Sequence, residues 1–215
     1  PRKNSEVATD SQSNAYHIWT GGDEGVYMSR SIDSGESWEQ TSIRISPIDV
    51  ISTTFPQVDA GDPGRIAITY LGSENSSELG KPDIDGENWT GNAHYATTNV
   101  SYHLYITLSL NALDPSPTFF TYRVTDDPVQ IGSICLNSGD CRDIGGSNRN
   151  LLDFNDLHID REGRVFVAFA DGCTDSCALD SNSTAEDSRS RRGSVYYLGS
   201  GPSLYDSVGL MDIPF

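Results

Sequence analysis

The amino-acid sequence predicts an all-β protein, and three observations carry this prediction. Few windows place apolar residues at the i, i+3, i+4 and i+7 spacing of an amphipathic helix. Short runs rich in β-branched and aromatic residues occur instead, and each run is bounded by Gly, Pro, Asp or Asn. One strand–turn–strand pattern also occurs twice, at 55–72 and again at 154–171.

Taken in order, the runs that predict strands share this composition and these boundaries. They are residues 15–20, 26–31, 41–45, 57–60, 65–71, 103–109, 118–124, 156–160, 165–170 and 193–198. The repeated pattern shows the strand–turn–strand unit most clearly. FPQVDAGDPGRIAITYLG and FNDLHIDREGRVFVAFAD both read as a strand, an Asp-containing Gly-Arg turn and a strand of alternating apolar residues. AYHIWT at 15–20 repeats the second half, and VYMS follows it as the next strand.

Recurring antiparallel sheets with a radial repeat are typical of β-propellers, which have four strands in each of roughly four to eight blades. With strands lettered A to D from the axis outward, the chain supplies B, C and D of one blade at about 13–46. It supplies all four strands of a second blade at about 55–124, and A, B and C of a third at about 153–207. Residues 1–215 then form part of a single propeller domain. Because an open half would expose long sheet edges, the remaining blades are expected from another chain or another part of the protein.

The turn between strands C and D of the first predicted blade carries SIDSGESW at 31–38. Asp33 can accept hydrogen bonds from backbone N–H groups, and Gly35 can take the positive φ that the turn needs. Ser31 can bond locally, and Trp38 can cover the flank of the hairpin. The spacing S-x-D-x-G-x-x-W is that of the Asp-box, or bacterial neuraminidase repeat, so the chain resembles the sialidase-like β-propellers. A degenerate copy of this motif, SLNALDPSPTF at 109–119, lacks the D-x-G core.

The segments 126–135, 148–154 and 167–173 resemble the closing blades of secreted microbial proteins of the exo-sialidase-like kind. The resemblance therefore covers the chain from about Tyr16 to Leu198, and it implies a six-bladed propeller of which about three blades are present. Sialidases of this fold use an arginine triad, a tyrosine activated by a glutamate, and an aspartate acid/base. Their first arginine lies in a Phe-Arg-Ile-Pro motif, which this sequence does not contain.

The resemblance implies a protein that acts on or binds glycans, either an exo-sialidase or other glycoside hydrolase or a relative that retains sugar binding. A glycan or glycoprotein is then the expected partner. The alternative is a non-catalytic Asp-box propeller that serves as a surface scaffold, an adhesion module or a protein-interaction module.

In the predicted propeller, the connections between strands lie on two opposite faces. A→B and C→D turns lie on one face, and B→C and D→A loops lie on the other, where sialidases bind their ligand. The segments 72–101, 126–150 and 171–192 all fall on this second face. Because loops longer than about 15 residues are usually functional or disordered, binding is expected there.

Arg149, Asp153 and Asp156 approach the predicted axis just before the third blade, which makes them candidate catalytic residues. Arg149 could bind a sugar carboxylate through two parallel hydrogen bonds. Asp153 and Asp156 could then act as general acid or as orienting groups. The alternative is that Arg149 and Asp153 form a structural pair and that Asp156 ends the loop. Three further candidates are phenols, although tyrosine in strands usually packs. They are Tyr70, Tyr102 and Tyr105.

Cysteines and glycosylation sequons predict an extracellular or cell-surface protein. The local pairing, Cys135 with Cys141 and Cys173 with Cys177, is the simplest of the three connectivities, and neither pair has the C-x-x-C spacing of a zinc site. The N-x-[ST] triplets, which are acceptors for N-linked glycans, begin at Asn75, Asn88, Asn99 and Asn182. The chain opens at Pro1 without methionine, so a processed or partial start is expected.

Charge and motif content exclude several function classes. The formal net charge of −17, from 31 acidic and 14 basic residues, argues against nucleic acid, because phosphate binding needs clustered cations. No run reaches the roughly 20 apolar residues of a membrane-spanning helix. No cofactor or metal site is predicted: the acidic segment 83–94 fails the EF-hand pattern, with Gly86 fourth rather than sixth. Calcium held by another loop geometry is the alternative.

Overall fold

The computed structural model describes residues 5–21, 25–74, 93, 96, 100–136, 151, 155–179, 191–207 and 210–212. Over these residues the protein is all-β, as the sequence predicts, with one short helical turn, α1 at Ser176–Leu179. No helix in the described part of the chain is long and apolar enough to cross a membrane.

Along the chain, the strands coincide with the apolar runs, and the turn residues lie between them. They are β1 (Ser5–Thr9), β2 (Ala15–Thr20), β3 (Val26–Ser31), β4 (Ile43–Arg44), β5 (Ser52–Ala60), β6 (Ile66–Ser73), β7 (Ser101–Ser109), β8 (Phe120–Arg123), β9 (Gln130–Ile131), β10 (Asn155–Ile159), β11 (Val165–Asp171), β12 (Arg192–Tyr197), β13 (Ser200–Pro202) and β14 (Leu210–Asp212).

Each predicted strand overlaps an observed one, and β2 and β3 have the predicted bounds. Four observed strands, β1, β9, β13 and β14, were not predicted from the sequence. The strand β1 was missed because its sequence, SEVAT, is exposed along most of its length and shows no apolar alternation. The others span only two or three residues, too few to establish a period.

The strands form antiparallel sheets in chain order. The first sheet is β1-β2-β3-β4, the second is β5-β6-β7-β8 with β9 added to β7, and the third is β10-β11-β12. The strands β13 and β14 pair as a separate hairpin. The first sheet therefore has four strands and begins with β1, whereas the sequence predicts three strands that begin at 15–20.

The three larger sheets stack with the second sheet in the middle. The first core lies between the first and second sheets and contains Tyr16, Ile18 and Met28 against Ile68 and Tyr70. This arrangement buries alternate residues of β2 and leaves the others at the opposite face.

The second core lies between the second and third sheets. It contains Leu71, Leu104 and Ile106 of the second sheet against Val165 and Val167 of the third. Every residue of β6 is buried, including the polar Thr69 and Ser73, because neighbouring sheets cover both of its faces.

Hairpin turns gather at one end of the stack, called the turn end below. Ser11 N donates to Gly61 O at 3.0 Å, which joins the β1–β2 turn to the β5–β6 turn. Asp62 N donates to Leu204 O at 2.9 Å, and Leu204 N donates to Gly163 O at 3.1 Å. The β2–β3, β6–β7 and β11–β12 connections leave from the opposite end, called the loop end.

Arg30 clamps the first sheet to the second at the turn end. Its guanidinium, 7% exposed, pairs with Glu39 and donates to the carbonyl oxygens of Ala112 and Asp114 at 2.6 and 2.7 Å. An arginine can satisfy several acceptors at once because its donors form a fixed planar fork. The β7–β8 turn is therefore tied to the end of β3.

Candidate functional site

The Asp-box turn, residues 31–38, is a self-contained hydrogen-bonded unit at the turn end. Asp33 Oδ1 accepts from Ser31 Oγ at 2.7 Å and from Ser37 N at 2.8 Å, and Asp33 Oδ2 accepts from Ser37 Oγ. Gly35 N donates to Ser31 Oγ at 2.8 Å. Ser34 and Gly35 have φ of 60° and 90°, a left-handed conformation that glycine adopts without strain.

These bonds account for the electrostatics of Asp33. Hydrogen bonds from the hydroxyl and backbone of Ser37, with a further bond from Ser31, lower the pKa of Asp33 to about 2. The carboxylate is ionised and its acceptor positions serve the turn. Trp38 turns back over the sheet, with its ring 6.0 Å from that of His17.

The degenerate copy at 109–119 keeps part of this hydrogen bonding, with a different residue at its centre. Asn111 Oδ1 accepts from Thr118 N at 2.9 Å, and Ser109 Oγ accepts from Asn111 N at 3.3 Å. An amide oxygen thus takes the place that the carboxylate of Asp33 has in the first sheet. The two turns are structurally related although the D-x-G core is absent from the second.

Of the three candidate catalytic residues, the structure describes Asp156. Arg149 and Asp153 lie outside the described residues. Asp156 is exposed on β10, opposite Ala168 of β11. It lines an open cleft of about 670 Å³ whose walls include Phe169 and Val195.

The three candidate phenols are core residues. Tyr70 and Tyr102 are 0% exposed, and Tyr105 is 3% exposed. Burial raises the pKa of Tyr70 to about 12, and burial also raises the pKa of Tyr102 and of Tyr105. A phenol with a raised pKa stays protonated at neutral pH, so none of the three is an activated nucleophile here.

Tyr105 nevertheless makes a tyrosine–glutamate contact that sequence reasoning could not align. Its hydroxyl donates to Glu74 Oε1 at 2.7 Å. Glu74 follows the end of β6 at the loop end, and Tyr70 stacks on Tyr105 with ring centroids 5.5 Å apart. Burial and the bond to Glu74 both stabilise the neutral phenol, so the contact anchors the start of the β6–β7 connection.

Asp171 is a partly buried acid at the loop end. It ends β11 opposite Arg192 and accepts a hydrogen bond from Cys173 N at 3.0 Å. Burial raises the pKa of Asp171, and the charge of Asp127 raises it further. Asp171 was not among the candidates predicted from the sequence, although its place directly after the predicted strand 165–170 and two residues before Cys173 could have indicated it.

His103 is also at the loop end, at the third position of β7. Its Nδ1 lies 3.1 Å from Thr125 O, and burial lowers the pKa of the imidazole. His103 is therefore neutral at pH 7.

A disulfide holds the chain next to Asp171. Cys173 and Cys177 are bonded as predicted, and Cys177 lies in α1. Cys135 is also disulfide-bonded, while Cys141, its predicted partner, lies outside the described residues. Both bonds involve segments at the loop end.

Several predicted features lie outside the described residues. These are the sequon residues Asn75, Asn88, Asn99 and Asn182 and most of the acidic segment 83–94. Within the described part of the chain, no group of three or more His, Cys, Asp or Glu side chains could hold a metal ion.

Comparisons with known protein families, with curated proteins and with solved structures find no match for this chain.

Proposed function

We propose that this chain is part of an extracellular, sialidase-like β-propeller that binds glycans, with glycoside hydrolysis as its candidate activity. The observation that supports the proposal most strongly is the Asp-box turn. The spacing that carries the resemblance is matched by a closed set of hydrogen bonds around Asp33, and a related turn around Asn111 stands in the second sheet.

The arrangement of the sheets gives independent support. Consecutive antiparallel sheets pack face to face, with their hairpins joined at one end and their long connections at the other. A propeller has this organisation, since its blades follow one another around an axis.

The chemistry at the loop end suits a glycan ligand. Arg192 is exposed beside Asp171, and a guanidinium can bind a sugar carboxylate through two parallel hydrogen bonds. A carboxyl group with a raised pKa can donate a proton to a leaving-group oxygen. Asp171 joins Asp153 and Asp156 as a candidate acid, while Arg149 is a candidate for binding the sugar carboxylate.

The test is release of sugar from a fluorogenic sialoside, together with binding to a glycan array, by the disulfide-bonded protein. We expect Asp171→Asn to lower hydrolysis by about 100-fold or more, the usual effect of losing a general acid. Arg149→Ala and Arg192→Ala should weaken glycan binding. Arg161→Ala, which removes an exposed arginine at the turn end, is the matched control and should change neither.

A non-catalytic scaffold or adhesion module is the second candidate function. It is favoured by the burial of Tyr70, Tyr102 and Tyr105, since the described tyrosines at these strand positions are packed as neutral phenols. A folded protein that neither hydrolyses the sialoside nor binds any glycan would contradict the first proposal and support this one.

The extracellular location is supported by the Cys173–Cys177 disulfide, because such bonds persist in oxidising compartments. Intact and reduced mass measurements on the native protein test it. Free thiols and unmodified sequons would contradict it.

A further inference from the structure

The third sheet ends in a strand whose outer edge has no neighbour among the described residues. The first and second sheets each have a fourth strand, β4 or β8, which pairs with the third. In the third sheet, β12 pairs with β11 on one side, and no described strand pairs with it on the other. Because each strand residue other than proline carries one backbone donor and one acceptor, such an edge offers a row of groups for pairing.

The alternation of hydrogen bonds in an antiparallel pair shows which groups of β12 face outward. Leu198 N donates to Val165 O at 2.9 Å, so these two residues form a hydrogen-bonded pair next to the end of β12. Opposite residues along such a pair of strands alternate between hydrogen-bonded and non-hydrogen-bonded positions. Counted back from Leu198, the backbone groups of Gly193, Val195 and Tyr197 therefore point away from β11.

The sequence of β12 does not protect this edge. Natural edge strands are commonly very short, or they carry proline or charged side chains. β4 spans two residues and β8 spans four, whereas β12 spans six. Residues 193–197 include neither proline nor a charged side chain, and Val195, Tyr196 and Tyr197 are 65%, 44% and 48% exposed. Valine and tyrosine also favour strand pairing.

The opposite edge of the third sheet lies against the second sheet. That edge is β10, where Ile159 N donates to Asp59 Oδ2 at 2.9 Å and the Asn155 side chain donates to Phe55 O at 3.5 Å. Within the described part of the chain, the third sheet therefore has its open edge at β12. A contact of this edge with the same edge of another copy is isologous, so it closes as a dimer and does not extend.

We propose that β12 pairs edge to edge with β12 of a second copy of this chain, antiparallel and centred on Val195. A two-fold axis at Val195 sets Val195 opposite its own copy, and it sets Gly193 opposite Tyr197 of the second copy. Residues that exchange hydrogen bonds must both face outward, and this register meets that condition at all three positions. Each β12 then takes the place that β4 and β8 have in the other sheets. This inference goes beyond the proposed function and does not depend on glycan binding.

The side chains favour this register. Opposite residues lie on the same face, so two valines meet at the centre as a β-branched pair. Tyr197 can cover Gly193 of the second copy, and an aromatic side chain opposite an edge glycine stabilises paired strands. The two Arg192 positions are about 20 Å apart, six residues at about 3.3 Å each, so their charges do not oppose each other. This self-matching favours a second copy over an unrelated extended segment as the occupant of the edge.

The experiment is sedimentation equilibrium of the disulfide-bonded chain over a series of protein concentrations. We expect a species of twice the 23.4 kDa chain mass, more populated as the concentration rises. Val195→Pro should lower the association constant by about tenfold or more, because proline removes the outward N–H at the centre of the contact. The pairing of β12 with β11 does not use this N–H, so the variant should keep the fold, as judged by circular dichroism.

Val7→Pro is the matched control. Val7 is an exposed valine of β1, the edge strand of the first sheet. Asp10 N donates to Asn14 O at 3.0 Å, so by the same alternation the N–H of Val7 points away from its neighbour β2. The control therefore removes an outward N–H at a different edge, and it should associate like the unchanged chain. Equal loss of association in both proline variants would contradict pairing through β12.

A pair of charged variants tests the register. Residue 195 faces its own copy at the two-fold axis, so Val195→Lys sets two positive charges opposite each other and Val195→Glu sets two negative charges. Each variant should associate about tenfold or more weakly than the unchanged chain, and an equimolar mixture should regain association because opposite charges then meet. Should Val195→Pro fail to fold, this pair carries the test. A chain that stays at 23.4 kDa at every concentration, or a mixture that recovers nothing, would overturn the proposal.

Discussion

Asp33 accepts its hydrogen bonds from groups within four residues of it in sequence. It has the chemistry of a catalytic acid, but its oxygen atoms are occupied by the turn and its pKa is lowered to about 2. Asp171, by contrast, is half-buried with a raised pKa. Two aspartates of one chain therefore differ in what they can do because of their surroundings rather than their identity.

The lowered pKa of Asp33 makes the stability of the protein depend on pH. Because the folded pKa of about 2 is below the ordinary value of 3.8, ionised Asp33 stabilises the fold above pH 3.8. This contribution is lost as the pH falls through about 2. We expect Asp33→Asn to lower the urea midpoint at pH 6, and we expect the difference from the unchanged chain to shrink towards pH 2.

Glu36→Gln is the control for this measurement, since Glu36 is an exposed carboxylate of the same turn. Its effect on the urea midpoint should be small at every pH. A midpoint difference for Asp33→Asn that stays constant from pH 6 to pH 2 would contradict the assigned role.

The segment 203–206 shows how one short element joins two sheets. Leu204, which is 0% exposed, bonds through its backbone to Asp62 and Gly163, and Ser203 Oγ donates to Glu162 O at 2.7 Å. Arg65 donates to Ser203 O at 2.8 Å and pairs with Asp206. The turn end of the second and third sheets is therefore closed by a segment far along the chain.

Gly163 allows this close approach. It has a φ of 79°, and a Cβ there would lie 2.0 Å from Ser203 Oγ and 2.8 Å from Leu204 N. We expect Gly163→Ala to lower the free energy of unfolding by more than about 1 kcal/mol, because both the backbone conformation and the contact oppose a side chain. Urea denaturation measures this loss.

Gly193→Ala is the matched control, since a Cβ at Gly193 meets nothing within 4 Å. Its effect should stay within about 0.5 kcal/mol, the usual range for surface substitutions. Equal effects of the two substitutions would contradict the proposed docking of segment 203–206.

The two cores share the second sheet, and this sharing couples the three larger sheets. β6 and β7 contribute one side to the first core and the other side to the second. Loss of either core would leave a buried face of the second sheet open to water, which costs about 25 cal/mol for each Å² of apolar surface. The stack should therefore unfold as one cooperative unit.

Substitutions in the two cores test this cooperativity. We expect Ile18→Ala in the first core and Leu104→Ala in the second each to lower the free energy of unfolding by about 2–5 kcal/mol. Both should shift the same single transition in urea, followed by tryptophan fluorescence and by circular dichroism. Two transitions, with each substitution moving only one of them, would show that the cores unfold separately.

Much of the fold could be predicted from the sequence because strand formation depends on local pattern. The alternating residues of AYHIWT and the glycine turns of the repeated hairpin were sufficient to predict β2, β5, β6, β10 and β11. The pairing of β5 with β6 and of β10 with β11 followed, since a short turn joins the two strands of each hairpin. The exposed strand β1 could not be predicted because it has no buried face to leave a pattern.

Less of the candidate site could be predicted. The role of Asp171 depends on its burial and on Asp127, which is distant in sequence, and the contact of Tyr105 with Glu74 joins residues across a long connection. The burial of a side chain and its contacts with residues distant in sequence produce no periodic pattern in the local sequence. The sequence could nominate Tyr105 as a phenol, whereas its neutral, packed state follows from its neighbours.

The amino-acid sequence by itself determined the all-β class, most strands and the turn at 31–38, and it favoured the Cys173–Cys177 pairing, because each depends on residues close together in the chain. Only the tertiary structure decided that Arg30 clamps two sheets and that segment 203–206 closes the turn end. These features depend on which faces meet in three dimensions. Which faces are in contact is decided by packing between sheets, and a local sequence pattern does not predict it.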